Sequence, residues 1–97
     1  MNECVRRLQS YVQTLQQMYN QGMLYDFLSN YAYDIYLEVG LNGDMRDYHI
    51  VLGGGGPAIE LQYGKIVCYD MGKEYSLSIP REISDELWSY IEQMKGF

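Results

Sequence analysis

The sequence predicts an α+β domain in which a five-stranded antiparallel meander is packed against helices on one face. Three observations lead there. Apolar residues recur every three or four positions at both ends of the chain. Through the middle they alternate with polar residues, and the links between these alternating segments are so short that neighbouring strands must run antiparallel. The 97 residues make one domain, 1-97, with a modest single core and little room for a deep cleft beside it.

From Glu3 to Asn20, the residues Val5, Leu8, Val12, Leu15 and Tyr19 form one stripe, widened by Cys4, Tyr11 and Met18, which is the signature of an amphipathic helix. Its other face holds Gln9, Gln13, Thr14, Gln16 and Gln17, polar and almost uncharged. Gly22 suits the left-handed position that ends such a helix. A short second helix, Met23 to Ser29, offers Leu24, Phe27 and Leu28 on one side, with Asn30 as its stop.

The period then falls to two. Ile35, Leu37 and Val39 alternate with Asp34, Tyr36 and Glu38, and Leu41-Asn42-Gly43-Asp44 supplies a hairpin turn. Tyr48 to Leu52, Ala58 to Tyr63, Lys65 to Met71 and Tyr75 to Ile79 read as the remaining strands. Pro80 closes the sheet because it cannot donate into a ladder. Ser84 reads as the cap of a C-terminal helix with Asp85 and Glu86 in its first turn and Lys95 in its last, in accord with the helix dipole. Ile83, Leu87, Ile91 and Met94 are its core stripe, flanked by Trp88 and Tyr90.

This layout turns Ile35, Leu37, Val39, Ile59, Leu61, Tyr63, Tyr75, Leu77 and Ile79 towards the helices. The other sheet face then collects Asp34, Tyr36, Glu38, Glu60, Gln62, Ser76 and Ser78. In the fourth strand either Val67, Tyr69 and Met71 or Ile66, Cys68 and Asp70 joins them, and the periodicity leaves both open.

Composition limits the function. Thirteen Asp and Glu against seven Lys and Arg give a formal charge of −6, which opposes sequence-independent nucleic-acid binding and attachment to acidic lipid, since both draw on Lys and Arg. Eleven tyrosines against two phenylalanines and one tryptophan suggest rings held half in water with the hydroxyl wet. No apolar run approaches signal-peptide length or the roughly 18 residues of a membrane span. The expected location is the cytoplasm of a bacterial host cell, and Cys4 and Cys68, far apart and outside any CxxC or metal-ligand spacing, are expected as reduced, half-buried thiols.

No catalytic motif emerges. The run Gly53 to Gly56 is followed by Pro57 and a strand rather than by a helix N-terminus, so it reads as a wide or bulged hairpin passing close to a helix, not as a phosphate loop. His49, the only histidine, sits mid-strand with no acid beside it on its own strand face except through cross-strand pairing that the sequence leaves open, and reads as a structural or surface residue rather than a general base. Asp44 and Asp47 read as solvated loop acids. Neither an enzyme nor a bound metal or cofactor is expected.

What remains is the polar sheet face. Tyrosine gives large contact area for little lost side-chain entropy, and carboxylates with little Lys among them complement a basic groove. Asp34, Tyr36, Glu38, Glu60 and Tyr69 are the candidate partner-binding residues. The alternative interaction surface is the Gln face of the N-terminal helix, which could pair with a second copy to give a homodimer.

Ile50-Val51-Leu52, Gly55-Gly56-Pro57, Ala58-Ile59-Glu60-Leu61, Gly64-Lys65-Ile66-Val67, Tyr75-Ser76-Leu77 and the segment from Ser84 to Met94 make a strand, Gly-Gly-Pro, strand, Gly, strand, short strand, acidic helix pattern. In this pattern the chain from Asp34 to Met94 resembles a loosely defined group of small proteins of phages and mobile elements of gut bacteria. With small size and acidity, this profile is similar to that of anti-CRISPR proteins. It implies a non-enzymatic inhibitor whose partner is a Cas effector, bound through its basic nucleic-acid-binding groove.

Overall fold

The structure, a computed structural model, describes residues 2–53 and 56–95. Helix α1 spans Glu3–Asn20 and α2 Leu24–Tyr31. Strands β1 (Ala32–Val39), β2 (Met45–Leu52), β3 (Ala58–Gln62), β4 (Lys65–Asp70) and β5 (Lys73–Ser78) follow, and α3 (Arg81–Lys95) closes the chain. The strands pair in sequence order as one antiparallel sheet. The predicted α+β architecture is thus the observed one.

Local chemistry accounts for the ends of α1. The Asn2 side chain accepts from the Val5 amide at 2.9 Å, satisfying one orphan donor of the first turn. At the other end Gly22, at φ +70°, allows the Gly22 amide to bond Tyr19 O and the Met23 amide to bond Met18 O. That paired closure is the Schellman arrangement, and it turns the chain directly into α2.

All three helices lie on the same face of the sheet, α1 against β4 and β5, α2 against β1 and α3 against β2. Leu8 and Leu15 of α1, Leu24, Phe27 and Leu28 of α2, and Ile83, Leu87 and Ile91 of α3 meet Tyr48, Ile50, Leu52, Ile59, Leu61, Ile66 and Cys68 of the sheet. In β4 the register settles the open alternative. Ile66 pairs with Leu61 and Leu77, and Cys68 with Ile59 and Tyr75, on the helix side, while Val67 and Tyr69 face outwards.

Several expectations are corrected. Cys4 and Cys68 are joined by a disulfide, both almost fully buried. They are not separate half-buried thiols, because α1 crosses β4 on its inner face and brings the two Cα atoms to 5.6 Å. Val39, expected in the core, is 56% exposed: it is the last residue of the edge strand β1, paired across the bulge with the buried Met45. Tyr63 stands past the end of β3 and, although its ring meets Tyr48 and Trp88 on the helix side, is 40% exposed rather than core. Met94 is also largely exposed.

Helix α3 begins at Arg81, one residue after Pro80, so Ser84 lies inside its first turns and is not its cap. The buried Ser84 hydroxyl instead accepts from the Gly64 amide at 3.0 Å, tying α3 to the β3–β4 turn. Tyr48, fully buried, donates its hydroxyl to the Ser84 carbonyl at 3.3 Å.

At its described ends the glycine-rich link meets strand β1 at Gly53 and, at Gly56, only the side-chain tip of Arg7 from a helix. A Cβ at Gly53 would lie 3.1 Å from the Tyr33 ring. At Gly56, φ is +110° and a Cβ would lie 2.7 Å from Arg7 Nη1 of α1. Gly54 and Gly55 are outside the described residues. Among the described residues no helix is long and apolar enough to cross a membrane.

Candidate functional site

Strand pairing sorts the outer sheet face into rows. Asp34, Val51, Glu60, Val67 and Ser76 form one, and Tyr36, His49, Gln62, Lys65 and Ser78 the next. Glu38 pairs with Asp47 beyond them, and Ala58, Tyr69 and Glu74 lie on the opposite flank. All five residues expected to meet a partner, Asp34, Tyr36, Glu38, Glu60 and Tyr69, share this face. They are not a tight cluster: Asp34, Tyr36 and Glu38 run along the edge strand β1, Glu60 sits at the centre, and Tyr69 is on β4.

At the middle of the face is a residue that sequence reasoning set aside. His49 Nδ1 lies 2.5 Å from Glu60 Oε1 and His49 Nε2 lies 2.7 Å from Glu38 Oε1. Glu38 and Glu60 are its diagonal cross-strand neighbours, the relation in which long side chains of adjacent strands touch. Partial burial opposes a charge on the ring, but the bonds to Glu38 and Glu60 and the nearby Asp47 outweigh it and raise the His49 pKa. When protonated, the ring donates to both carboxylates.

Asp47 completes the group. Its Oδ1 accepts from the Tyr48 amide at 2.7 Å and from the Tyr63 amide at 3.3 Å, which anchors the carboxylate on the backbone. One ligand-type atom each from Glu38, Asp47 and His49 all lie within 4.8 Å of one another. Nearby, Asp34 accepts from the Tyr36 hydroxyl and, with its charge, raises that tyrosine's pKa. Val67, on the same face, is fully buried although it is not part of the helix-side core. Its strand partners Glu60 and Ser76 flank it.

A second concavity of about 670 Å³ lies where α3 meets the ends of β2 and β3, lined by Arg46, Asp47, Tyr63, Asp85, Trp88, Ser89 and Glu92. Tyr48, Tyr63 and Trp88 meet edge to face there, with centroids 5.8 to 6.4 Å apart. The Tyr63 hydroxyl donates to Asp85 Oδ1 at 2.5 Å, and Arg81 Nε stands 3.7 Å from Asp85 Oδ2. Its lining carries three acids, Asp47, Asp85 and Glu92, against Arg46 alone.

On α1, Gln9, Gln13 and Gln17 are exposed, while Gln16 donates to Asn20 and Thr14 to the Ser10 carbonyl within the helix itself. Comparison with protein-family models, curated proteins and solved structures finds no match for this chain.

Proposed function

We propose that this chain is a non-enzymatic binding protein that covers a positively charged nucleic-acid-binding surface of a host protein, most specifically a Cas effector. The observation that carries the reading is the outer sheet face, where Asp34, Glu38, Asp47, Glu60 and Glu74 stand against Lys65 and His49. Tyr36 and Tyr69, 58% and 39% exposed, supply contact area among them. Such a face complements arginines and lysines that otherwise hold phosphates. The resemblance to small phage and mobile-element proteins is what selects a Cas effector among basic partners.

The mechanism is competition. Asp34, Tyr36, Glu38, Glu60 and Tyr69 occupy the cations of the groove and exclude the nucleic acid. Its place of action is the bacterial cytoplasm, a reducing compartment. There the burial of Cys4 and Cys68 keeps attacking thiolates from their bond.

The test measures target cleavage by purified Cas effector–guide complexes with and without the chain, at low and high salt. Inhibition should weaken and association should slow as salt rises. Asp34→Lys, which leaves the His49 contacts in place, and the double variant Glu38→Lys with Glu60→Lys should both lose inhibition. Salt-independent inhibition retained by both variants rejects this surface.

A further inference from the structure

We propose that Glu38, Asp47 and His49 form a binding site for a divalent transition metal ion, zinc by preference, with Glu60 orienting the His49 ring from outside the coordination sphere. The inference concerns the isolated chain and stands whether or not the sheet face docks onto a partner.

The donor set comes from two adjacent strands. Glu38 of β1 is directly paired with Asp47 of β2, and His49 lies two residues further along β2, on the same face. Three donors are therefore presented side by side on paired backbone rather than on a loop. Their ligand-type atoms already lie within 4.8 Å of one another. Bonds of about 2.0–2.2 Å in a tetrahedral zinc site place neighbouring ligand atoms about 3.3 Å apart. The 2.7 Å between His49 Nε2 and Glu38 Oε1 must open by a few tenths of an ångström. That movement is available to Glu38, whose side chain is 60% exposed.

The arrangement around the ring is what distinguishes this group from a set of surface acids. Metal-bound histidines characteristically donate their second ring nitrogen to a carboxylate, which fixes tautomer and orientation. Here Glu60 holds Nδ1 at 2.5 Å, directing Nε2 to the side where Glu38 and Asp47 stand. The Asp47 carboxylate is likewise fixed, because its Oδ1 accepts two backbone amides. An imidazole beside two carboxylates suits zinc and its transition-metal neighbours, whereas magnesium and calcium prefer oxygen alone. Three protein ligands leave the fourth position to water.

The test is calorimetric titration of the tag-free, chelator-treated chain with zinc chloride, paired with nitrogen-detected NMR of the histidine ring. One zinc per chain should bind, with the shift concentrated at Nε2. His49→Ala should abolish binding. Glu38→Gln and Asp47→Asn should each weaken it at least tenfold, and Glu60→Gln should weaken it about 10- to 100-fold with stoichiometry kept. Magnesium and calcium chloride should give no saturable heat. Asp47→Asn keeps Oδ1 as an acceptor for the two amides, so its result stands even where His49→Ala disturbs folding. No saturable zinc binding, unchanged affinity in Asp47→Asn, or a zinc shift that spares the His49 ring overturns the proposal.

Discussion

Cys4 in the first turn of α1 and Cys68 in the middle of β4 are bonded across 64 positions of sequence. The link lies on the inner side of the sheet, behind the outer face that carries Val67 and Tyr69. It therefore fixes α1 to the strand that supports one flank of the candidate binding surface.

Reduction should lower stability without removing the fold. Opening a loop of this length releases chain entropy worth about 4 kcal/mol in the unfolded state. Leu8, Ile59, Ile66 and Ile83 belong to the same core cluster as the two cysteines and keep their packing without the bond. Urea unfolding with and without a phosphine reductant should show a lower midpoint for the reduced chain, and Cys4→Ala with Cys68→Ala should behave like the reduced form. Equal midpoints mean that the two sulfurs are not bonded in solution.

The Tyr48–Ser84–Gly64 connection yields a graded pair of variants. Ser84→Ala leaves the half-buried Gly64 amide without its acceptor, at a cost of about 1–3 kcal/mol. Tyr48→Phe removes only a long 3.3 Å bond to a helix carbonyl and keeps the ring packed against Trp88, at a cost of about 0.5–1 kcal/mol. Thermal or urea unfolding should therefore rank Ser84→Ala below Tyr48→Phe. The reverse order means that the Ser84 hydroxyl does not hold the β3–β4 turn.

Stability should fall on the alkaline side. Burial of Tyr48 pushes its phenol well above the ordinary value, with the Ser84 bond acting the other way. Hydrogen bonds to Asp85, Glu86 and Asp34 raise those of Tyr63, Tyr90 and Tyr36. A raised folded-state pKa means that the folded chain keeps protons the unfolded chain has released. The contribution is complete below the unfolded tyrosine pKa of about 10 and is lost as pH climbs from there through the folded values. Urea midpoints between pH 8 and pH 11.5 should decline in step with tyrosinate absorbance, and less steeply in Tyr48→Phe. A flat profile contradicts the burial of Tyr48.

Much of the fold is legible because each element carries its own period. The α1 stripe runs unbroken to its terminating Gly22, and the Asn42-Gly43 turn and the short links force a meander. Facing is also legible for β1 and β3, where alternation is clean. What the sequence hides depends on register and on the path of one element over another. Alternation tells which side Glu38, His49 and Glu60 occupy, but their diagonal contact follows from how β1, β2 and β3 align, which turns and bulges decide. The bulge that admits Arg46 into β2 is likewise invisible in Met45-Arg46-Asp47, and it is what sets the buried Met45 opposite Val39. The Cys4–Cys68 bond needs the course of α1 across the sheet, which no local pattern encodes.

The two described ends of the glycine-rich link should respond differently to a methyl group. At Gly53 the obstacles are the Tyr33 ring at 3.1 Å, which can swing aside because Tyr33 is 81% exposed, and Tyr33 Cβ at 3.2 Å, which must give by a few tenths of an ångström with its strand. At Gly56 the nearest atom, Arg7 Nη1, is the far end of a flexible side chain and can also yield, but φ of +110° cannot be relieved by moving a neighbour. A side chain there is forced into backbone space that L-residues rarely adopt, at a cost of about 1–3 kcal/mol. Gly53→Ala should therefore lose no more than about 1 kcal/mol, the centre of the range for point changes, and Gly56→Ala should be clearly less stable in urea unfolding. Equal losses would place the constraint in the close contacts. Equal tolerance would mean that the chain at Gly56 relaxes to an ordinary φ, and the glycine would then serve no conformational need in this hairpin.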